Sequence, residues 1–307
     1  MTVFSSEDMI PCYLRNGNLT GKTILWRLLT MKDSTRENLS YWGLYARLLR
    51  VKKEIKPQTV SFGNDKQQYF LYYEPKNITS DKVIVWVHGG GWNAGTPKMF
   101  DFVGQCIAKH GYRFLSLGYR LSPKNQYPCQ IEDVCNGYQS AIAFLHQKEI
   151  DPTKIVISGP SAGAHLTSIL CYGKQVQETY GIDLTPVIGF IGVGGPYRFS
   201  EQDSLSVRLL LNQLFAKGYD RAQGEPCTLM MKSEIPMLLI QSKHDGLISY
   251  ACAEEFYKKA KQLAIPCELY SVVDKKNTHS WYTAGMFLET RETNQGLDKF
   301  FTWIENL

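Results

Sequence analysis

From about residue 82 onward, short apolar runs rich in β-branched residues alternate with longer stretches that carry apolar positions at helical spacing. The runs predict six strands, VIVWV (83–87), RFLSL (113–117), IVIS (155–158), IGFIGV (188–193), MLLIQ (237–241) and CELYSVV (267–273). Most are apolar at nearly every position, which is typical of strands covered on both faces. The stretches between them predict helices at 98–109, 131–148, 162–172, 250–263 and 296–307. This alternation indicates a parallel sheet with right-handed crossovers.

Two further strands are predicted near 58–62 and 68–73, as an antiparallel hairpin at the edge of the sheet. The expected fold is therefore α/β, with a mostly parallel, twisted sheet of about eight strands and helices on both faces. Ser34 and Glu37 form a capping-box pattern before the helical stretch LSYWGLYARLLR, which Pro57 ends. We expect residues 1–57 to form a small helical lid and residues 58–307 to form the main domain.

Composition indicates an ordinary globular protein, with 44% hydrophobic and 21% charged residues among 307 and a net charge of +5. One basic cluster near the N-terminal helix is most simply a solvated helix end. No nucleic-acid motif accompanies it, so no nucleic-acid partner is expected. No apolar run approaches the roughly 18 residues of a membrane span, so no stable membrane insertion is expected. The cluster consists of Arg47, Arg50, Lys52, Lys53 and Lys56.

The eight cysteines contain no C-x-x-C pair and no metal-ligand spacing. The first residues, MTVFSSEDMIPC, have neither the positive region nor the apolar core of a secretory signal. We therefore expect reduced thiols, a cytoplasmic location, and neither a metal nor a cofactor. The oligomeric state is left open.

The strongest chemical signal is a serine between two glycines where a strand meets a helix, in the segment GPSAGAHL (159–166). Gly159 and Gly163 permit a turn that is too tight for residues with a β-carbon, and this turn holds the hydroxyl of Ser161 clear of the sheet. The turn predicts that Ser161 is a nucleophile.

A serine hydroxyl needs a base to take its proton, and the base needs an acid to orient it. His279 follows the strand CELYSVV in a predicted loop, so it lies at the carboxyl edge of the sheet with Ser161. Asp245 follows the strand MLLIQ at the same edge. Asp274 is the alternative acid, but it precedes His279 by only five residues. We therefore favour Ser161, Asp245 and His279 as the triad. His165, one turn beyond the serine, is expected to be a structural hydrogen-bonding residue.

The segment VIVWVHGGGW (83–92) places His88 and three glycines directly after an earlier strand. Consecutive glycines let the backbone pass close to a ligand and direct N–H groups toward it. Together with the amide of Ala162, the amides of Gly90 and Gly91 are predicted to form an oxyanion hole.

In these motifs the sequence resembles the α/β-hydrolase superfamily, and specifically the branch of hormone-sensitive-lipase-like carboxylesterases. The matching segments run in family order from about residue 80 to 282, and the sequence SAGAHL is also similar to kynurenine formamidases and prenylcysteine methylesterases. The resemblance implies the α/β-hydrolase fold, the triad and the oxyanion donors named above. These segments are HGGGW (88–92), GYRLSPKNQYPCQIEDV (118–134), GPSAGAHL (159–166), HDGLI (244–248) and THS (278–280).

Three functions fit these observations. The first is a serine esterase that cleaves small or medium carboxylic esters through an acyl-enzyme. The second is an arylformamidase that cleaves an N-formyl amide, for which Trp92, Tyr197 and Trp281 would line an aromatic substrate pocket, with Tyr282 beside them. The third is a ligand receptor on a hydrolase scaffold, which the presence of all three triad residues disfavours. The expected partner is a small-molecule ester or amide.

Overall fold

A single sheet contains all eight predicted strands in the computed structural model, which describes residues 32–200 and 203–307. Its spatial order is β1-β2-β4-β3-β5-β6-β7-β8. The strands are β1 (Gln58–Ser61), β2 (Tyr69–Tyr73), β3 (Val83–Val87), β4 (Arg113–Leu117), β5 (Ile155–Pro160), β6 (Val187–Val193), β7 (Met237–Ser242) and β8 (Cys267–Val272).

Strand β2 is the one strand that points in the opposite direction, because it pairs antiparallel with both β1 and β4. Strands β3 to β8 pair in parallel. The predicted hairpin is present, with Gln58 opposite Tyr72 and Ser61 opposite Tyr69. Each parallel strand ends at the same edge as its neighbours, so the loops that follow β3, β5, β7 and β8 converge there. The predicted α/β class and mostly parallel sheet are confirmed.

Ten α-helices lie within the described residues, together with 3₁₀ turns at Arg221–Gly224 and Gly285–Leu288. They are α1 (Asp33–Leu48), α2 (Asp101–Lys109), α3 (Cys129–Gln147), α4 (Ala162–Tyr172), α5 (Lys174–Tyr180), α6 (Leu205–Leu214), α7 (Pro226–Leu229), α8 (Tyr250–Gln262), α9 (His279–Thr283) and α10 (Gln295–Glu305).

Alternate residues of the central strands face two separate apolar layers. On β3, Val85 and Val87 belong to the layer that includes α3 and α4, whereas Ile84 and Trp86 belong to the layer that includes α2 and α10. All five residues of β3 are buried. Burial on both faces explains why the strand sequences are continuously apolar rather than alternating.

Three local predictions differ from the structure. The helix predicted at 98–109 begins only at Asp101, because the hydroxyl of Thr96 accepts the N–H of Met99 and closes a separate turn. Helix α1 begins at Asp33, ahead of the expected cap, and the Glu37 carboxylate binds another helix instead of its own N-terminus. Helix α6 was not predicted, although Val207, Leu211 and Leu214 have helical spacing.

Residues Asp33–Leu307 form one compact unit that includes α1. The remainder of the expected lid, residues 1–31, lies outside the described residues. None of the helices in the described part of the chain is both long and apolar enough to span a bilayer.

Candidate active site

Ser161 occupies a sharp turn between the end of β5 and the start of α4, with φ 51° and ψ −122°. A β-carbon on Gly163 would lie 2.0 Å from the carbonyl oxygen of Val87, the last residue of β3. One on Gly159 would lie 2.6 Å from the carbonyl carbon of Gly163. The turn therefore packs against the neighbouring strand at a distance that only glycine permits. Steric closeness in this turn accounts for the G-x-S-x-G pattern.

The structure brings Ser161, His279 and Asp245 into one hydrogen-bonded chain. The Nε2 atom of His279 lies 2.9 Å from Oγ of Ser161, and its Nδ1 atom lies 2.8 Å from Oδ2 of Asp245. Asp274 is exposed, and its carboxylate lies 3.8 Å from the ammonium group of Lys276. Of the two candidate acids, only Asp245 contacts the imidazole. His279 is the first residue of the short helix α9, so its prediction as a loop residue was wrong.

Five donors among the described residues hold the carboxylate of Asp245, and its side chain is 1% exposed. Its Oδ1 atom accepts two backbone N–H groups at 2.8 and 2.7 Å, which fixes the plane of the carboxylate. Burial and the charge of Asp245 raise the pKa of the Tyr282 phenol, so its hydroxyl keeps its proton and donates to Oδ2 at 2.6 Å. The five donors are Leu247 N, Ile248 N, Gln241 Nε2, Tyr282 Oη and His279 Nδ1.

The charge state of His279 reflects two opposed effects. Burial disfavours the imidazolium, but the negative charge of Asp245, its hydrogen bond and the charge of Glu37 favour it. The second group of effects is larger, and it raises the pKa of His279 above the ordinary 6.5.

The glycine segment that follows β3 lies against Ser161. Gly90 has φ +111°, and a β-carbon there would meet the carbonyl oxygen of Ala94 at 2.3 Å, so the backbone path requires glycine. The His88 ring stacks on Tyr119 with a centroid distance of 4.3 Å, and its Nδ1 atom is 2.7 Å from the oxygen of Gly89. Burial lowers the pKa of His88 to about 4, so this neutral ring supports the loop.

A cavity of about 310 Å³ opens onto Ser161 and His279. Its walls are mainly apolar and come from α1, the glycine segment, α6 and the loop after β7. Backbone of Gly89 to Gly91 forms one side of it. The apolar side chains are Tyr41, Leu44, Trp92, Ala94, Phe100, Pro160, Pro196, Val207, Leu210, Leu247, Ile248 and Ala284. A wider groove of about 1000 Å³, with Arg50, Lys109 and Glu292 on its walls, includes none of the three triad candidates.

Of the three predicted pocket residues, only Trp92 lines this cavity, and its Nε1 donates to His165 at 3.2 Å. Tyr197 was wrongly placed in the pocket, because its buried ring stacks on Phe256 at 4.4 Å in the core. Trp281 was also wrongly placed, because its ring lies beneath the guanidinium of Arg47 at 4.7 Å, outside the cavity walls.

His165 is the structural hydrogen-bonding residue that the sequence predicted. Its Nδ1 atom accepts the indole N–H, and its Nε2 atom lies 2.7 Å from the carbonyl oxygen of Gly224. Burial lowers the pKa of His165 to about 4, so the ring is neutral. It ties Trp92 to α4.

Sequence reasoning missed Tyr41 and Leu44 on α1, and Val207 and Leu210 on α6, as cavity residues. The i, i+3, i+4, i+7 spacing from Val207 to Leu214 could have identified α6. No comparable signal in α1 indicates which of its residues face Ser161.

Comparison with known proteins finds esterases among those that this chain resembles. The BD-FAE family model matches residues 71–260. Esterase LipC of Mycobacterium tuberculosis is 24% identical over 233 residues, which cover 70% of this chain and 58% of LipC. A probable isoprenylcysteine alpha-carbonyl methylesterase of Arabidopsis thaliana is 24% identical, over 47% of this chain and 35% of its own. The chain thus spans only about a third to three fifths of the length of these relatives.

Solved structures give the same fold. Esterase B from Lactobacillus rhamnosis superposes with a TM-score of 0.72 at 19% identity, over 93% of this chain and 96% of that one. A hormone-sensitive lipase from a metagenome library superposes with a TM-score of 0.69 at 18% identity, over 94% and 99%. Since the family model matches more than half of its residues, the chain belongs to the BD-FAE family, and the solved structures show that it has the α/β-hydrolase fold.

Proposed function

We propose that this protein is a serine hydrolase that cleaves small or medium carboxylic esters through an acyl-enzyme. The observation that carries the proposal is the chain of hydrogen bonds from Ser161 through His279 to Asp245, at the mouth of an apolar cavity. The names of the relatives agree with it, since LipC is an esterase and others are methylesterases.

In the first half of the reaction, Oγ of Ser161 attacks the ester carbonyl carbon as its proton moves to Nε2 of His279. The carbonyl oxygen gains negative charge, which the amides of Gly90, Gly91 and Ala162 would stabilise. The amide of Ala162 is available because the first residue of a helix has no intrahelical acceptor for its N–H. The C–O bond to the alcohol then breaks, and His279 returns its proton to the leaving oxygen. Asp245 stabilises the intervening imidazolium.

In the second half, water replaces the alcohol. The water oxygen attacks the acyl carbon as His279 takes a proton from that water. His279 then gives the proton to Oγ of Ser161 as the carboxylic acid departs. The amide alternative receives less support, since Tyr197 and Trp281 lie outside the cavity. The cavity walls contain three aromatic rings, those of Tyr41, Trp92 and Phe100, but more of their apolar side chains are aliphatic, which fits an acyl chain better than an aromatic metabolite.

We further propose that α1 is the described part of a lid over this cavity. Tyr41 and Leu44 are on its walls, together with Ser161 and His279.

A panel of p-nitrophenyl esters from acetate to palmitate, with N-formylkynurenine as the amide substrate, tests the proposed function. Each methylene that enters the apolar cavity contributes about 0.8 kcal/mol, or about fourfold in kcat/KM, until the cavity is full. We expect kcat/KM to rise from acetate to butyrate and to fall well before palmitate. A fluorophosphonate probe should label Ser161, as located by peptide mass spectrometry. Faster turnover of the formamide would favour the amide alternative, and an unlabelled, inactive protein would favour the receptor.

The dependence of kcat/KM on pH follows from the pKa of His279. As the base, the imidazole must be neutral before Ser161 attacks, so activity is lost as the pH falls through its pKa. Because Asp245 and Glu37 raise that pKa above 6.5, the acidic limb should lie above pH 6.5. Initial rates with a butyrate ester, measured across the pH range at constant ionic strength, give the midpoint of the acidic limb. An acidic limb well below 6.5 would contradict this assignment.

A further inference from the structure

Helix α1 directs four residues toward the site, at the i, i+3, i+4 and i+7 positions of one helical face. Two of them, Tyr41 and Leu44, are in the cavity wall. The other two, Glu37 and Ser40, contact α9 instead. The same face therefore joins the cavity wall to the helix that begins with His279.

The carboxylate of Glu37 binds the first two backbone amides of α9. Its Oε2 atom accepts the N–H of His279, and its Oε1 atom accepts the N–H of Ser280 at 2.8 Å. These amides begin a helix, so they have no intrahelical acceptor. Glu37 is only 5% exposed, and a carboxylate is buried at low cost only where donors of this kind satisfy it.

A second set of hydrogen bonds reinforces this attachment. The hydroxyl of Ser40 lies 2.6 Å from that of Ser280 and accepts the hydroxyl of Thr278 at 2.8 Å. Ser40 donates in turn to the carbonyl oxygen of Glu37 at 2.7 Å. The residues on both sides of His279 are thus attached to α1.

We propose that Glu37 is a positioning residue, which fixes the backbone of His279 so that its imidazole spans the gap between Ser161 and Asp245. The inference rests on the proposed function. Helix α1 then determines the position of the His279 imidazole, in addition to forming part of the cavity wall.

Glu37 also acts on His279 through charge. Its negative charge is one of the influences that favour the imidazolium and raise the pKa of His279, after the larger contribution of Asp245. In the described residues the other titratable or charged groups near this region are two phenols, a second imidazole and three charged side chains of α1, namely Asp33, Arg36 and Arg47. Burial and the charges of Glu37 and Asp245 raise the pKa of Tyr41 to about 12, and that of Tyr282 is raised as well. His244 faces Asp33 of α1 at 3.5 Å.

Two variants separate geometry from charge. Glu37→Ala removes both acceptors, and a misplaced base is expected to lower kcat for a butyrate ester by about tenfold to a hundredfold, with little change in KM. Glu37→Gln keeps one acceptor oxygen and a similar shape, so the loss in kcat should be smaller. Both variants should lower the pKa of His279 and move the acidic limb to lower pH. Glu234→Gln, an equal charge change at an exposed position, should leave both quantities unchanged.

The pKa of His279 is measured independently of turnover, by titration of ¹⁵N-labelled imidazoles, with His279 assigned from the signal lost in His279→Gln. Thermal melting followed by circular dichroism shows whether each variant is folded. If Glu37→Ala does not fold, Glu37→Gln alone is used for the test. A wild-type kcat, pH profile and His279 pKa in folded Glu37→Gln would overturn the inference and leave the esterase proposal intact. If the wild-type protein is inactive and unlabelled, the esterase proposal fails. In that case, a lowered His279 pKa in Glu37→Gln would still support the contact, and an unchanged one would refute it.

Discussion

Replacing Ser161 with alanine is expected to lower kcat for a butyrate ester by about 10⁴-fold to 10⁶-fold. The change removes the oxygen that forms the bond to the acyl carbon and leaves His279 and Asp245 in contact. The residual rate would come from water attacking a carbonyl that the oxyanion donors polarise. Initial rates of ester hydrolysis, after subtraction of the rate without enzyme, give kcat. The fluorophosphonate probe should no longer label the protein.

Ser158→Ala is a matched control, because it removes a hydroxyl from β5 only three residues before Ser161. The hydroxyl of Ser158 is buried and has no hydrogen-bond partner in the described residues, so its loss should leave turnover unchanged. Ser161→Ala should also unfold at nearly the wild-type temperature, since among the described residues the hydroxyl of Ser161 has a single hydrogen-bond partner, the His279 ring. Retention of more than a small fraction of activity in Ser161→Ala would mean that another group is the nucleophile.

The sheet could be predicted because its signal is local. A strand that helices cover on both faces needs an apolar residue at nearly every position. Strand β3 has this pattern along its whole length, and β7 has it from Met237 to Ile240. The turn at Ser161 was equally predictable, since its backbone geometry requires glycine at two fixed offsets. Chain order then restricted the candidate acid and base to the segments that follow β7 and β8, where Asp245 and His279 lie.

Contacts between distant segments could not be predicted in this way. Glu37 follows Ser34 at capping-box spacing, but its carboxylate binds the amide of a residue 242 positions away. Local spacing describes what a side chain can reach within its own helix, and it carries no information about a competing donor from another segment. The same reason explains Tyr197, which follows the cavity residue Pro196 but turns into the core against Phe256.

Asparagine in place of Asp245 is expected to lower kcat by about 10⁴-fold, with KM little changed, and the direction of its amide follows from the contacts. The Oδ1 atom accepts the N–H groups of Leu247 and Ile248, and an asparagine would keep its oxygen there. Its NH₂ group would then occupy the place of Oδ2 and face Nδ1 of His279. That nitrogen would have to accept a hydrogen bond, so the ring proton would move to Nε2, the atom that must take the proton of Ser161.

The substitution would also remove the negative charge that stabilises the imidazolium, so the pKa of His279 should fall and the acidic limb should move to lower pH. Asp274→Asn makes the same chemical change at the alternative acid, where the side chain is exposed and makes no hydrogen bond to the imidazole, and it should retain wild-type turnover. Stopped assays on both variants across the pH range give both kcat and the midpoint of the acidic limb. If Asp274→Asn proved the more damaging change, Asp274 would orient the imidazole in solution, and the chain from Ser161 through His279 to Asp245 would not be the catalytic one.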